Sequence, residues 1–197
     1  LAYILPDGSE GWVGHEHIPA FLAHFDWART AVVMHHAHFD GLILSHHYGV
    51  RPALIFDTLS MARAVLGNHM RASLDALAKH FGTESKSVPY GMFKGRRWEN
   101  LYPNERQLLG DGAVADCRIT KRVFAELAKG FPAEEYDVID WTVRMFTEPC
   151  VYGDTSLLDQ TVLSEQARKA ALLMELGVTE QDLQSADKFT KLLDELG

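Results

Sequence analysis

The sequence predicts an α/β fold with parallel strand pairing, followed by a small all-helical segment. Three observations carry that expectation. Ala31-Val32-Val33-Met34 and Ala53-Leu54-Ile55-Phe56 are short apolar runs, rich in β-branched residues and of the length of buried strands. Each is followed by apolar residues at helical spacing, and strand–helix–strand–helix alternation over residues 31–82 favours a parallel pair. After residue 148 the strand signals stop and the chain turns acidic and helical.

The elements follow in order. Leu1 to Ile4 reads as a strand entering the turn Pro6-Asp7-Gly8, with Trp12-Val13 as its hairpin partner. Ile18, Phe21, Leu22 and Phe25 give a helix over His17 to Phe25. After the first apolar strand, Phe39, Leu42 and Ile43 predict a helix over Phe39 to Tyr48. After the second, Asp57 or Thr58 is placed to cap a helix through Met61, Ala62, Val65 and Leu66. Ser73 caps the next helix, which carries Leu74, Leu77, Ala78 and Phe81 and stops at Gly82. Residues 83–112 are irregular. Helices return over about Ala113 to Leu127 and Ala133 to Met145.

A boundary falls at Glu148-Pro149, separating a domain over 1–148 from a helical segment over 149–197. The latter is expected to hold one long helix, Leu157 to Leu176, and two short ones, the first behind the capping box Thr179-Glu180-Gln181-Asp182. Over the 197 residues, 47% hydrophobic and 23% charged content is that of a globular chain able to bury a core. The net charge of −8 argues against a protein that coats nucleic acid through its overall field. It splits into −5 over residues 154–197 and +3 over residues 84–97. No apolar run approaches the roughly 20 residues of a membrane span. Cys117 and Cys150 have no CxxC spacing, which fits a reducing, cytoplasmic setting. No oligomer is indicated. The start at Leu1 reads as that of an excerpt.

Three acids stand where chemistry gathers. Asp40, in His35-His36-Ala37-His38-Phe39-Asp40, follows a strand end, the place where open α/β sheets collect ligands. From the residues alone the first reading is an ordinary helix-start acid satisfying backbone N–H groups. Asp116 lies in a helix that does not favour it, or is simply a solvent-facing acid near a helix N-terminus. Asp57 is first of all a cap. Lys86, Lys94, Arg96 and Arg97, interleaved with Tyr90, Phe93 and Trp98, suit single-stranded DNA, cations to phosphates and rings to bases. The other reading is a solvated loop whose aromatics fold back on the core. The ten histidines, among them His35, His36, His38 and His46-His47, raise a zinc hydrolase as a rival. No HExxH-type spacing supports it.

In order and spacing these segments resemble one family over nearly the whole chain. His35 to Leu44 resembles the second motif of DEDD-type 3′–5′ exonucleases, Ile55 to Arg63 the strand-to-helix element after it, Ser73 to Gly82 the next helix, and Ala113 to Thr120 the third motif. Beyond Thr147, Glu148-Pro149, Asp154, Leu157-Leu158 and Gln184 to Phe189 resemble the passage into the polymerase domain of phage-type family A DNA polymerases. The resemblance implies a ribonuclease H-like fold, a central mixed sheet flanked by helices. It implies proofreading hydrolysis of the 3′-terminal phosphodiester during DNA replication, with two Mg²⁺ (or Mn²⁺) ions. Asp40 and Asp116 would be the catalytic metal ligands, and Phe39 would lie in the core beneath the site and serve substrate binding. His36 would meet the terminal nucleotide, Lys86, Lys94, Arg96 and Arg97 the DNA, and Asp57 would support the site. The partners would be a single-stranded 3′ end and, through a parent polymerase, primer-template DNA, in a bacterial host cytoplasm if phage-encoded.

Two departures accompany the resemblance. The family's first motif, an Asp-x-Glu on its first strand, is absent, and Asp7 and Glu10 do not match it. Leu1 to Ile4 then corresponds to the second strand, and the first is expected to precede it. The third motif normally carries Tyr four residues, or His five, before its Asp to position the attacking water. Here Gly112 and Asp111 stand there. These departures favour, as the alternative, a weakened or inactive DNA-binding module, and predict little activity for this chain by itself.

Overall fold

In a computed structural model of the chain, residues 1–67, 69–83 and 88–196 are described. They form two compact units, Leu1–Cys150 and Val151 onward.

The first unit opens on a hairpin. β1 (Ala2–Ile4) pairs antiparallel with β2 (Glu10–Trp12), Tyr3 opposite Gly11. Asp7 closes the turn, its carboxylate accepting from the Ser9 N–H at 2.9 Å and hydroxyl at 2.6 Å. A 3₁₀ turn and α1 (Ile18–Leu22) lead to β3 (Ala31–Met34). β3 pairs parallel with β4 (Leu54–Asp57), Val32 opposite Ile55 and Met34 opposite Asp57. Between them lie α2 (Ala37–Leu42) and a π-helical segment over Ile43–His47.

One expectation is corrected here. Instead of one central mixed sheet, the described strands form two separate two-stranded ladders, one antiparallel and one parallel. No described strand bridges them. Only β4 has the burial of a core strand, with Ile55 2% exposed, while Val33 of β3 is 39% exposed.

Behind β4 come α3 (Thr58–Leu66) and α4 (Leu74–His80), the latter capped by the Ser73 hydroxyl and followed by Gly82 at φ 63°. α5 (Pro103–Leu127) packs against both ladders. It begins ten residues before its apolar pattern suggests, because Gly110 and Gly112 interrupt the propensity signal. Both glycines are contact points. A Cβ on Gly110 would stand 2.1 Å from the Trp12 indole. The helix starts on Pro103, with the Glu105 carboxylate accepting from the Tyr102 N–H at 2.9 Å.

The core joins Ala37, Ile55, Met61, Leu77, Ile119, Val123 and Val143, drawn from β4 and five helices. The last of these helices, α6 (Ala133–Thr147), closes the edge of β4. Buried Asp140 accepts the Ile55 N–H at 2.8 Å, a strand donor left without a ladder partner. Arg144 then holds Asp140 at 2.7 Å and the Pro52 carbonyl at 2.8 Å.

The second unit is helical. α7 (Thr155–Leu176) starts on Asp154, which accepts from the Leu157 N–H at 3.0 Å. α8 (Glu180–Gln184) begins at the Thr179–Asp182 capping box, and α9 (Ala186–Leu196) follows. Among the described residues no helix is long and apolar enough to cross a membrane.

Candidate active site

The site begins where β3 runs into α2. His36, between them, has φ 65° and ψ 56°, a left-handed conformation that costs a non-glycine residue about 1 kcal/mol. What holds it is Asp57 at the end of the neighbouring strand. This fully buried carboxylate accepts the His36 N–H at 2.7 Å and the Ala37 N–H at 3.2 Å through Oδ1. It also takes the Leu59 N–H at 3.2 Å and, through Oδ2, the Ser60 N–H at 3.3 Å and hydroxyl at 2.7 Å. One side chain thus starts two helices and fixes the turn that carries Asp40. His35 is oriented alongside. The Thr58 hydroxyl donates to the Met34 carbonyl at 3.2 Å, so the His35 Nδ1–H donates to the Thr58 oxygen, 2.9 Å away.

α2 presents Ala37 and Gly41 to the core. A Cβ on Gly41 would lie 2.9 Å from Thr147 Cγ2, so α2 and α6 meet closely there. That choice of buried face corrects the placement of Phe39 in the core. Two positions from each inward residue, Phe39 turns outward and is 67% exposed. Asp40 reaches solvent, yet enough protein surrounds it that burial pushes its carboxyl above the ordinary carboxylate range, with the charge of His36 opposing.

Asp116 comes from α5. Its Oδ2 accepts a long hydrogen bond from the Tyr90 hydroxyl at 3.4 Å. Burial, and then the Asp116 charge, raise that phenol to about 12, so Tyr90 is a neutral donor at physiological pH. The neighbouring Cys117 thiol is pushed up to about 11 by burial first and by Asp116 and Asp40 next. The charges of Asp116, Asp40 and Glu10 thus all reach this thiol on α5. Asp7 closes the hairpin turn, and Glu10 is clasped by Arg118 with Nε at 2.9 Å, fastening β2 to α5.

Beside His36 opens a cleft of about 570 Å³, lined by His35, His36, Arg63, Met70, Arg71 and Leu74 among others. Its two guanidiniums do not stand out in the sequence, because Arg63 ends one family-like segment and Arg71 precedes the next, and neither position is marked by its spacing.

The basic segment differs from expectation. Phe93 is buried with Val88 and Leu101, and Trp98 packs on that cluster and edge-on to Trp12 at 6.1 Å. These aromatics fold back on the protein instead of offering stacking faces. Arg96 is gripped by Glu105 at 2.6 and 2.7 Å and donates to the Asn100 carbonyl at 3.1 Å, so it staples the loop to the start of α5. Lys94 and Arg97 are exposed. Lys86 lies outside the described residues.

Carboxylates are the right donors for a hard divalent cation. Among the described residues, however, no three His, Cys, Asp or Glu side chains converge as a metal-ligand group, histidine clusters included. Asp40 and Asp116 alone do not fit a site for two ions. What the described residues do by themselves is bind and orient.

A family model described as a 3′–5′ exonuclease matches residues 13–131, a span that contains Asp40, Asp57, Tyr90 and Asp116. No curated protein and no solved structure matches the chain.

Proposed function

This chain belongs to the 3′–5′ exonuclease domain family of the family A DNA polymerases, and from that premise we propose that it removes nucleotides from the 3′ end of single-stranded DNA, as the proofreading part of such a polymerase. The observation that carries the reading is the match of residues 13–131 to the 3′–5′ exonuclease family, a span in which the charges of Asp40 and Asp116 both raise the Cys117 thiol. In the reaction a water oxygen attacks the terminal phosphorus. The bond to the 3′ oxygen of the preceding nucleotide breaks, that oxygen takes up a proton, and a nucleoside 5′-monophosphate leaves. Asp40 and Asp116 stand at the reacting end. Arg63 and Arg71, in the cleft beside His36, and Lys94 and Arg97 supply cations for phosphates, and His36 is placed to meet the terminal nucleotide. The exposed ring of Phe39 offers a stacking face for a base.

Residues 149–197 are read as the opening of a phage-type polymerase region, on the resemblance of Glu148-Pro149, Asp154 and Gln184 to Phe189. Primer-template DNA is then the larger partner and a cell's cytoplasm the setting. The two-ion chemistry of the family needs carboxylates beyond Asp40 and Asp116, and among the described residues no three such donors converge. That shortfall is the specific observation favouring the second reading, a DNA-holding module with weak or no nuclease activity.

The test is excision of nucleotides from a single-stranded 3′ end by the full-length protein with Mg²⁺, against Asp40→Ala. Loss of excision in the variant is expected. Excision unchanged by the substitution overturns the assignment of Asp40, and a wild-type protein that binds DNA but excises nothing establishes the second reading.

A further inference from the structure

We propose that Tyr90 is a positioning residue of this active site, a hydroxyl delivered to Asp116 from a separate segment of the chain through a notch that Gly112 keeps open. The inference rests on the exonuclease reading above. Three observations carry it. The Tyr90 hydroxyl lies 3.4 Å from Asp116 Oδ2, across 26 residues of sequence. Gly112 is buried one helical turn before Asp116, so a side chain there would project over the same face. A Cβ on Gly112 would stand 2.9 Å from the Tyr90 hydroxyl oxygen and 2.4 Å from Val88 Cγ2. Glycine inside a long helix is unfavourable. Here it permits the close approach of the 88–90 segment. The packing of Val88 with Phe93 and Leu101 anchors that segment against α5.

The chemistry follows from the group. A neutral phenol has one proton and two lone pairs. Its proton is given to Asp116, and the same oxygen can accept from a water molecule held between phenol and carboxylate. Tyr90 thereby orients the carboxylate and a water at once, without changing charge. Tyr90 and Gly112 form one device: the residue that gives up its side chain and the residue that uses the vacated space.

The test uses the full-length protein and a single-stranded oligonucleotide with Mg²⁺. Tyr90→Phe keeps the ring and removes only the hydroxyl. It is expected to lower kcat for 3′ excision about 100-fold, the scale of a misplaced reacting group, with KM and melting temperature nearly unchanged. Gly112→Ala, which pushes the 88–90 segment away, is expected to reduce kcat similarly. The double variant is expected to lose little more than either single one, since both remove the same contact. Excision by Tyr90→Phe at the wild-type rate overturns the inference while leaving the exonuclease reading intact. So does a fully additive double variant. A wild-type protein that excises nothing overturns the exonuclease reading and this inference with it.

Discussion

Asp57→Ala isolates the device that holds Asp40 in place. The substitution leaves the backbone N–H groups of His36, Ala37, Leu59 and Ser60 without the carboxylate that accepts them. Losing the α3 cap costs about 1 kcal/mol. The donors at His36 and Ala37 lie where water reaches poorly, and each left unpaired costs about 1 kcal/mol or more. The left-handed backbone of His36 then has nothing to hold it, and its strain of about 1 kcal/mol works against the folded turn. The sum is about 3–5 kcal/mol, the range for breaking a buried charged network and a large share of a domain's usual margin. Urea unfolding of Asp57→Ala against wild type measures it directly. Asp57→Asn, which keeps one acceptor oxygen but points an amide at N–H groups, falls between the two. A loss below about 1 kcal/mol for the alanine variant refutes the reasoning.

The remaining predictions concern neighbouring parts of the same structure. Because burial raises the Asp40 carboxyl, its favourable contribution is complete only below the unfolded value of about 3.9 and is lost as pH rises through the folded one. At pH 7 the ionised group therefore costs stability, so Asp40→Asn should melt higher than wild type near neutrality, lose that gain below about pH 4, and be inactive in excision. Asp140→Ala removes the acceptor of the Ile55 N–H and the first partner of Arg144; calorimetry should show a loss of about 2–4 kcal/mol. Gly110→Ala sets a methyl 2.1 Å from the Trp12 indole. It should destabilise by about 1–3 kcal/mol despite the better helix propensity of alanine.

What was legible in the sequence was mostly local. The strand at Ala31–Met34, the helix caps at Asp57 and Ser73 and the helix stop at Gly82 depend on neighbours within a turn or two, and their residue types state their roles. The exposure of Phe39 was not legible, because α2 is short and the docking of Ala37 and Gly41 on α6 decides which face is buried. Nor was the early start of α5. Gly110 and Gly112 weaken the local signal for the sake of contacts with Trp12, Val88 and Tyr90, distant in sequence. Arg96 read as a cation for DNA, since its partner Glu105 lies nine residues away on an element not yet recognised as helix. The two ladders in place of one sheet are a property of strand partners, which periodicity within a strand does not report. Tyr90 and Gly112 show the same rule at the site. The glycine is visible in the sequence, but its reason stands 22 residues away.

The central claim is that Asp40 and Asp116 form the reacting end of a 3′–5′ exonuclease. A 5′-labelled single-stranded oligonucleotide incubated with the full-length protein and Mg²⁺ tests it most directly, read as product length against time beside Asp116→Ala. Stepwise shortening from the 3′ end with release of mononucleotides, absent from the variant, is the predicted result. Equal shortening by the variant, or none by the wild-type protein, would contradict it.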